Sequence, residues 1–356
     1  MKLLTTFDRP TLDTHTPVKG GSAGPKWHRA SRFPAALAVS AFLSLPAFAE
    51  TAVPTPMPAQ SPGVASATSA IKVVFVIAFE NHDSGQVYGN VAEAPYINNV
   101  LLPAYAHSTN FGDLLPALPS EPHYVWMEAG TNEFSDHTFK GDGDPSPTNS
   151  TGSTAHLVTQ IESAHNGTSW MSYQEGLNDN TGRCPIQSSG HYAAKHNPFV
   201  FFRDVSGDPP STANAYCAAH HKNFKLLAGD LKAGTVATYN FITPNQCNDM
   251  HGAADCRIDN QIVASDAWLQ KKLPPIIDYV NAHQGAIFLV WDEGKRTNLM
   301  PFIAIGPTVK KGYASTVKLD HSAQLKSIEK ILHLPILPTV STANDFADLF
   351  EAGQFP

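Results

Sequence analysis

The run Ile71-Lys72-Val73-Val74-Phe75-Val76-Ile77-Ala78-Phe79-Glu80-Asn81-His82 decides the fold. Apart from Lys72, residues 71–79 are apolar without alternation, which is the pattern of a strand covered on both faces. Residues 286–291 and 302–305 repeat it, and residues 236–242 are strand-like with more alternation. Between these runs, residues 154–164 and 260–282 carry apolar side chains at three- and four-residue spacing, the second run kinked at Pro274-Pro275. In residues 321–332 Leu325, Ile328 and Ile331 form one stripe, with Asp320 or Ser322 available as a cap. A last helix is expected over residues 342–350. Buried strands alternating with helices predict an α/β domain with a mainly parallel central sheet flanked by helices. Residues 132–195 are polar, with abundant Gly and Ser, and are expected to form excursions over the active-site edge of the sheet.

The chain has 356 residues, 42% of them hydrophobic, enough for one large core. Charged residues make up 15% and the formal net charge is −7, with no basic stripe, so nucleic acid is not an expected partner. Protonating all 16 histidines would carry the charge from −7 to +9, a field that suits anionic ligands at low pH. Near the N-terminus, Lys26, His28, Arg29 and Arg32 precede an apolar run over residues 33–48 that ends Ala47-Phe48-Ala49-Glu50. This reads as a signal peptide with an extended leader over 1–49, followed by a flexible Pro/Ala/Ser/Thr linker over 50–68 and one folded domain over 69–356. The apolar run is short and interrupted by Pro34 and Pro46, so no stable membrane anchor is expected after cleavage. Export to the periplasm or the medium agrees with four cysteines, all beyond the leader. Three pairings are open. The local one, Cys184–Cys217 with Cys247–Cys256, is favoured because each bridge closes a loop within one segment; a four-cysteine metal site would want paired C-x-x-C spacing.

Reactive groups of open parallel sheets gather at the C-terminal strand ends. Glu80-Asn81 follows the first run and Asp292-Glu293 follows the run ending at Trp291. Oxygen-rich side chains from separate strands suit a hard or borderline divalent cation; solvated loop acids are the bland alternative. Between them lies Leu118-Pro119-Ser120-Glu121-Pro122-His123-Tyr124. A serine opening a helix can hold a phosphate beside free backbone N–H groups, or can be an ordinary cap.

These segments share an order with a known family. Glu80-Asn81-His82, Ala94-Pro95-Tyr96-Ile97-Asn98, Pro119-Ser120-Glu121-Pro122-His123-Tyr124, Ala129-Gly130-Thr131, Lys195-His196-Asn197-Pro198-Phe199, Thr243-Pro244-Asn245 with Asn248-Asp249-Met250-His251, Trp291-Asp292-Glu293 and Asp320-His321-Ser322 follow one another along residues 71–335. The chain resembles the secreted phosphoesterases that include bacterial acid phosphatases and phospholipases C, in the alkaline-phosphatase-like superfamily. The resemblance implies an alkaline-phosphatase-like fold and a hydrolase of phosphoric esters. It makes Ser120 the nucleophile and assigns Glu80, Asn81, Asp292 and Glu293, with the Ser120 oxygen, to a divalent metal ion such as Zn, Ca, Mg or Mn. His196 and His251 would face the phosphate and the leaving group, Asp249 would orient one of them or ligate, and His321 would be a further substrate-binding histidine. Where many members carry Asn, this chain has His123, whose imidazole could donate to a phosphate oxygen. The expected substrates are small phosphomonoesters, handled through a phosphoserine. A phospholipase C or phosphodiesterase acting on phospholipid headgroups is the alternative, since the extra C-terminal modules common in that branch are not present here. A binding protein that had lost turnover would lack the serine or one of the acids, and all are present.

Overall fold

The computed structural model describes residues 70–177 and 182–356. The expected signal peptide and linker, 1–49 and 50–68, lie outside the described residues. The strands are β1 (Val73–Phe79), β2 (Ala106–Ser108), β3 (Phe111–Gly112), β4 (Trp170–Gln174), β5 (His221–Asn223), β6 (Tyr239–Thr243), β7 (Gly285–Trp291), β8 (Leu299–Met300), β9 (Phe302–Ile305) and β10 (Ala314–Ser315). Eight of them form one sheet in the order β10-β2-β9-β7-β1-β6-β4-β5, while β3 and β8 pair separately. Within the large sheet only β2–β9 and β7–β9 are antiparallel. The mainly parallel α/β architecture is therefore as expected.

β1 and β7 are buried along their whole length, the consequence of layers on both faces. The flanking helices used below are α1 (Ser120–Ala129), α2 (Leu157–Ala164), α3 (Gln261–Lys272), α4 (Pro274–Ala282) and α5 (His321–Ile331). The two prolines at 274–275 do not kink one helix. They start a new one, with Pro at its first positions where no N–H partner is needed. Asp320 caps α5 by accepting from Ala323 N at 2.9 Å.

Two expectations are corrected. Residues 132–195 are not all surface excursion: β4 pairs in parallel with β6 from Trp170↔Tyr239 to Gln174↔Thr243, and Trp170 and Tyr173 are buried. Residues 342–350 hold only a 3-10 turn, Phe346–Leu349, because Asp345 captures Ala347 N and tightens the chain there. Both local disulfides, Cys184–Cys217 and Cys247–Cys256, are formed.

Candidate active site

The parallel register pairs Phe79 of β1 with Trp291 of β7, so the next residues, Glu80 and Asp292, emerge side by side at the sheet edge. Asn81 N donates to Asp292 Oδ1 at 3.0 Å and Asn81 Nδ2 to Glu80 Oε2 at 2.9 Å. Asn81 adopts φ 45°, a left-handed turn that asparagine tolerates better than most residues, and this turn brings both contacts together. Beyond Glu293, the Asp83 carboxylate collects the N–H groups of Lys295, Arg296 and Thr297 at 2.9–3.1 Å. The turn begins at Gly294, where a Cβ would collide with the Thr297 carbonyl.

Ser120 reaches this cluster from the first turn of α1. Its Oγ donates to Glu80 Oε2 at 2.9 Å and lies 3.3 Å from Glu293 Oε1. Pro119 is the N-cap residue, and Asp142 rather than Ser120 accepts the nearby Glu121 N–H, at 3.1 Å. Ser120 is thus not spent as a cap. Gly130, at φ 66°, ends α1 against Val340 and Thr339 with no room for a Cβ.

His196, Asp249 and His251 complete the group. Thr243 at the end of β6 donates to the His196 carbonyl at 3.1 Å, and Glu80 N donates to the Asp249 carbonyl at 2.7 Å. His196 Nε2 stands 3.1 Å from Glu80 Oε1 and its Nδ1 3.3 Å from Asp249 Oδ2. The alignment is poor, and among the described residues Glu80 Oε1, His196 Nε2, Asp249 Oδ2 and Asp292 Oδ2 are buried without a hydrogen-bond partner. One ring nitrogen of His251 falls within 4.8 Å of ligand atoms of Glu80 and His196. Its Nδ1 lies 2.8 Å from the Gly252 carbonyl, to which it must donate, and this leaves Nε2 open. Next to it Met250 holds φ 77°, local strain of the kind that collects at functional sites.

Electrostatically the cluster is overloaded with acids. Burial, then the fields of Glu80 and Glu293, push the Asp292 carboxyl far above its usual range. Burial pushes Asp249 up to about 7. Glu293 is pushed to about 7 by burial and by Glu80 and Asp113, against the opposing charge of His123. Burial lowers His196 to about 4, so it is neutral at ordinary pH.

One expected substrate contact, His123, points elsewhere, while the other, His321, has one nitrogen committed and its Nδ1, among the described residues, buried without a hydrogen-bond partner. His123 places Nδ1 2.8 Å from the Pro119 carbonyl and Nε2 3.0 Å from Asp113 Oδ1. Both nitrogens must donate there, so the ring is an imidazolium with neither N–H left for a phosphate. Burial opposes that charge, but the Asp113 hydrogen bond and field raise the pKa. His321 donates Nε2 to the Trp291 carbonyl at 2.9 Å, immediately before Asp292. Burial and the neighbouring His123 charge lower it to about 4.

Residues 115–335 match the family model described as the Phosphoesterase family. The chain belongs to the Phosphoesterase family. It is a hydrolase of phosphoric esters. A phosphatidylinositol-3-phosphatase of Mycobacterium tuberculosis is 28% identical over 291 residues, covering 80% of this chain and 85% of that protein. A phosphate-repressible acid phosphatase of Penicillium chrysogenum is 29% identical over 184 residues, 49% of this chain and 38% of that protein. Among solved structures, a Vibrio parahaemolyticus protein of the alkaline phosphatase superfamily aligns at TM-score 0.49 and 10% identity, covering 78% of this chain and 70% of that one.

Within this phosphoesterase, the acids fit a cation. Glu80, Asp292 and Glu293 bring carboxylate oxygens within 4.8 Å of one another, and the unpartnered oxygens of Glu80 and Asp292 belong to that group. A second candidate group, His191 with Cys247 and Cys256, is excluded because those sulfurs form a disulfide. Sequence reading missed Asp113, Tyr124, Asp142 and Lys195 as site residues. Tyr124 lies one turn after Ser120 and stacks on His196 at 5.1 Å and 12°. Lys195 Nζ donates to Asp142 Oδ2 at 2.5 Å. Burial opposes the Lys195 charge, yet Asp142 and the Glu80 and Asp292 fields raise its pKa. Tyr124 and Lys195 lie inside the quoted motifs, so helical spacing from Ser120 and adjacency to His196 were available signals; for Asp113 and Asp142 no local pattern exists.

Proposed function

We propose that this phosphoesterase is an exported, metal-dependent acid phosphatase acting on phosphomonoesters through a phosphoserine at Ser120. The observation that carries the reading is the Ser120 hydroxyl, hydrogen-bonded to Glu80 and close to Glu293 at the N-terminus of α1. The residues that would hold a divalent ion are Glu80, Asn81, Asp292 and Glu293 with Ser120 Oγ. Such an ion supplies positive charge to the serine oxygen and the phosphoryl oxygens. Ser120 Oγ gives its proton to Glu80 Oε2, to which it already donates, and forms the new bond to phosphorus while the ester P–O bond breaks. With Nδ1–H held by the Gly252 carbonyl, His251 in its doubly protonated form would give the Nε2 proton to the departing oxygen, and Asp249 holds its backbone by accepting His251 N at 2.7 Å. Neutral His196 borders the phosphate site. Water then attacks the phosphoserine, releasing phosphate and restoring the hydroxyl. His123 and His321 are positioning residues beneath the serine and behind Asp292.

The names of both relatives describe phosphatases, which supports monoesters over the phospholipase C reaction, and the mycobacterial name extends the substrate range to a phosphoinositide headgroup. Two disulfides support export, and among the described residues no helix is long and apolar enough to cross a membrane. The folded domain is taken as 69–356, after a leader ending at Ala49.

Acid quenching with labelled substrate should leave phosphate on the peptide that contains Ser120. Ser120→Ala should lose at least about a thousandfold in turnover while keeping its melting temperature. A variant retaining a tenth of the wild-type rate would remove Ser120 from the mechanism.

A further inference from the structure

Lys195 and His196 are consecutive residues of the 3-10 turn Ala194–His196, and each leads back to Ser120 through a different partner. His196 Nε2 lies 3.1 Å from Glu80 Oε1, and the other Glu80 oxygen accepts the Ser120 hydroxyl at 2.9 Å. Lys195 Nζ donates to Asp142 Oδ2 at 2.5 Å, and Asp142 Oδ1 accepts the N–H of Glu121, the residue after Ser120, at 3.1 Å. One carboxylate therefore separates the Lys195 ammonium from the peptide that follows the serine. The segment carrying Asp142 is itself pinned to α1. Gly143 N and Asn149 Nδ2 donate to Glu121 Oε2 at 2.8 and 3.1 Å, and Glu121 is fully buried. The Lys195 side chain is 18% exposed, and its charge acts on Glu80, Asp292, Asp249 and His196.

A phosphomonoester brings a charge of about −1.5 to −2 at pH 7. The groups around Ser120 already described do not answer it. Glu80, Asp249, Asp292 and Glu293 are acids, His196 is neutral, and His123 has spent both of its N–H groups. At the start of α1, Asp142 has taken the Glu121 N–H and Pro122 has none, so this helix end is not an open anion cradle. Lys295 and Arg296, which follow Glu293, are exposed. Lys195 differs from them because Asp142 holds it in place. Asp142 shares its own charge with the α1 N-terminus, and an ammonium with three donors keeps two for a further acceptor.

We propose that Lys195 is a catalytic residue whose ammonium binds the non-bridging phosphoryl oxygens of the ester, with Asp142 as the positioning residue that aims it. The proposal rests on the assignment of Ser120 as phosphoryl acceptor. Lys195→Met removes the charge and keeps most of the stem. It should lower kcat/KM for 4-nitrophenyl phosphate about 100-fold, the scale for losing one donor to a developing oxyanion, and weaken inhibition by inorganic phosphate about tenfold. Asp142→Asn retains an acceptor for Glu121 N but releases the ammonium. It should cost about tenfold alone and nothing further in the Lys195→Met background, because both changes act through one group. Where Lys195→Met melts below the wild type, Lys195→Gln, whose amide can still donate to Asp142, carries the same readings. A charge-deleted variant within about threefold of the wild type, or one that loses turnover with phosphate inhibition unchanged, overturns the contact; additive losses overturn the aiming role of Asp142. If no monoester turns over and Ser120 is never labelled, the proposed reaction fails instead. Titration calorimetry of inorganic phosphate into Ser120→Ala, with and without Lys195→Met, then decides Lys195 separately: about tenfold weaker binding without the ammonium upholds the contact, and equal binding overturns it.

Discussion

Two buried histidines sit between carboxylates in this molecule, and their protonation is opposite. His156, at the start of α2, donates Nδ1 to Glu128 Oε1 at 3.1 Å, and its Nε2 lies 3.1 Å from both Asp204 oxygens. It stacks on Phe202 at 3.9 Å, and Glu128 also accepts Val158 N at 2.7 Å. Burial opposes a charge on His156, but the Asp204 and Glu128 hydrogen bonds overcome it and raise its pKa. His196 stands as close to Glu80 and Asp249, with neither contact aligned, and burial keeps it neutral. Distance alone does not separate the two clusters. What separates them is whether the ring nitrogens spend their protons on the carboxylates, as His156 does in a structural tie, or stand beside them unaligned, as His196 does at the sheet edge.

The largest effect that would sharpen this contrast comes from the open cluster. Asp292 is buried, far above its usual pKa and unpartnered at Oδ2. Asp292→Asn should lower turnover at least about a thousandfold and abolish tight metal binding. Its melting temperature in chelator should equal or exceed that of the wild type, because a crowded buried carboxyl has been removed. A large drop in chelated stability would make Asp292 a structural residue and erase the contrast.

The closed cluster predicts the reverse. Glu128, at the far end of the helix that begins with Ser120, is 1% exposed. Glu128→Ala should destabilise by about 3 kcal/mol, the scale for leaving a buried charge without one partner, with kcat changed less than threefold. The pH dependence follows in sign. His156 is raised above its ordinary 6.5, so its contribution is complete below that pH and is lost as pH rises through the higher folded value. Glu128, raised above 4.5 by burial, acts in the same direction at lower pH. Asp204 is lowered below 3.8 despite burial, chiefly by the His156 hydrogen bond, so its contribution is lost only as pH falls through that lower value. Denaturant melts between pH 5 and 9 should show the wild type losing stability that His156→Gln does not lose. Parallel curves would mean that His156 is neutral in the folded protein.

The same distinction governs what could be read before folding. Glu80 and Asp292 were legible because each ends an unbroken apolar run, and the parallel register then places them together without further information. Ser120 was legible from its prolines and its family setting. β4 was not, since Ser172 and Gln174 interrupt its apolar character, and it is a sheet strand only because β5 and β6 flank it. His123 looked like a phosphate ligand by position, but Asp113, ten residues earlier, claims its free nitrogen. Lys195 and Asp142 are 53 residues apart, so their contact exists only through tertiary folding. Histidines and acids announce themselves in a sequence; which of them are already satisfied does not.

The smallest effect concerns Tyr124, which links the two kinds of order within the active cluster. Its ring is packed like a core side chain, parallel to His196 at 5.1 Å and edge-on to Phe241 at 6.4 Å. Its hydroxyl is buried among acids without a well-aligned hydrogen bond. Burial, and then the fields of Glu80, Asp292 and Asp249, push its pKa far upward, so it remains a phenol and can donate to only one of those carboxylates at a time. Tyr124→Phe keeps the stacking and deletes that donor. Stability should change by less than about 1 kcal/mol, as for loss of an ordinary hydrogen bond. Metal affinity should fall about three- to tenfold, because a carboxylate held by a donor is better oriented as a ligand. Titration calorimetry with the metal alone reads this without any assay of turnover. Unchanged affinity would make Tyr124 a packing residue, its hydroxyl idle beside the acids; a loss of several kcal/mol in stability would place it with Glu128 and His156 as part of the frame.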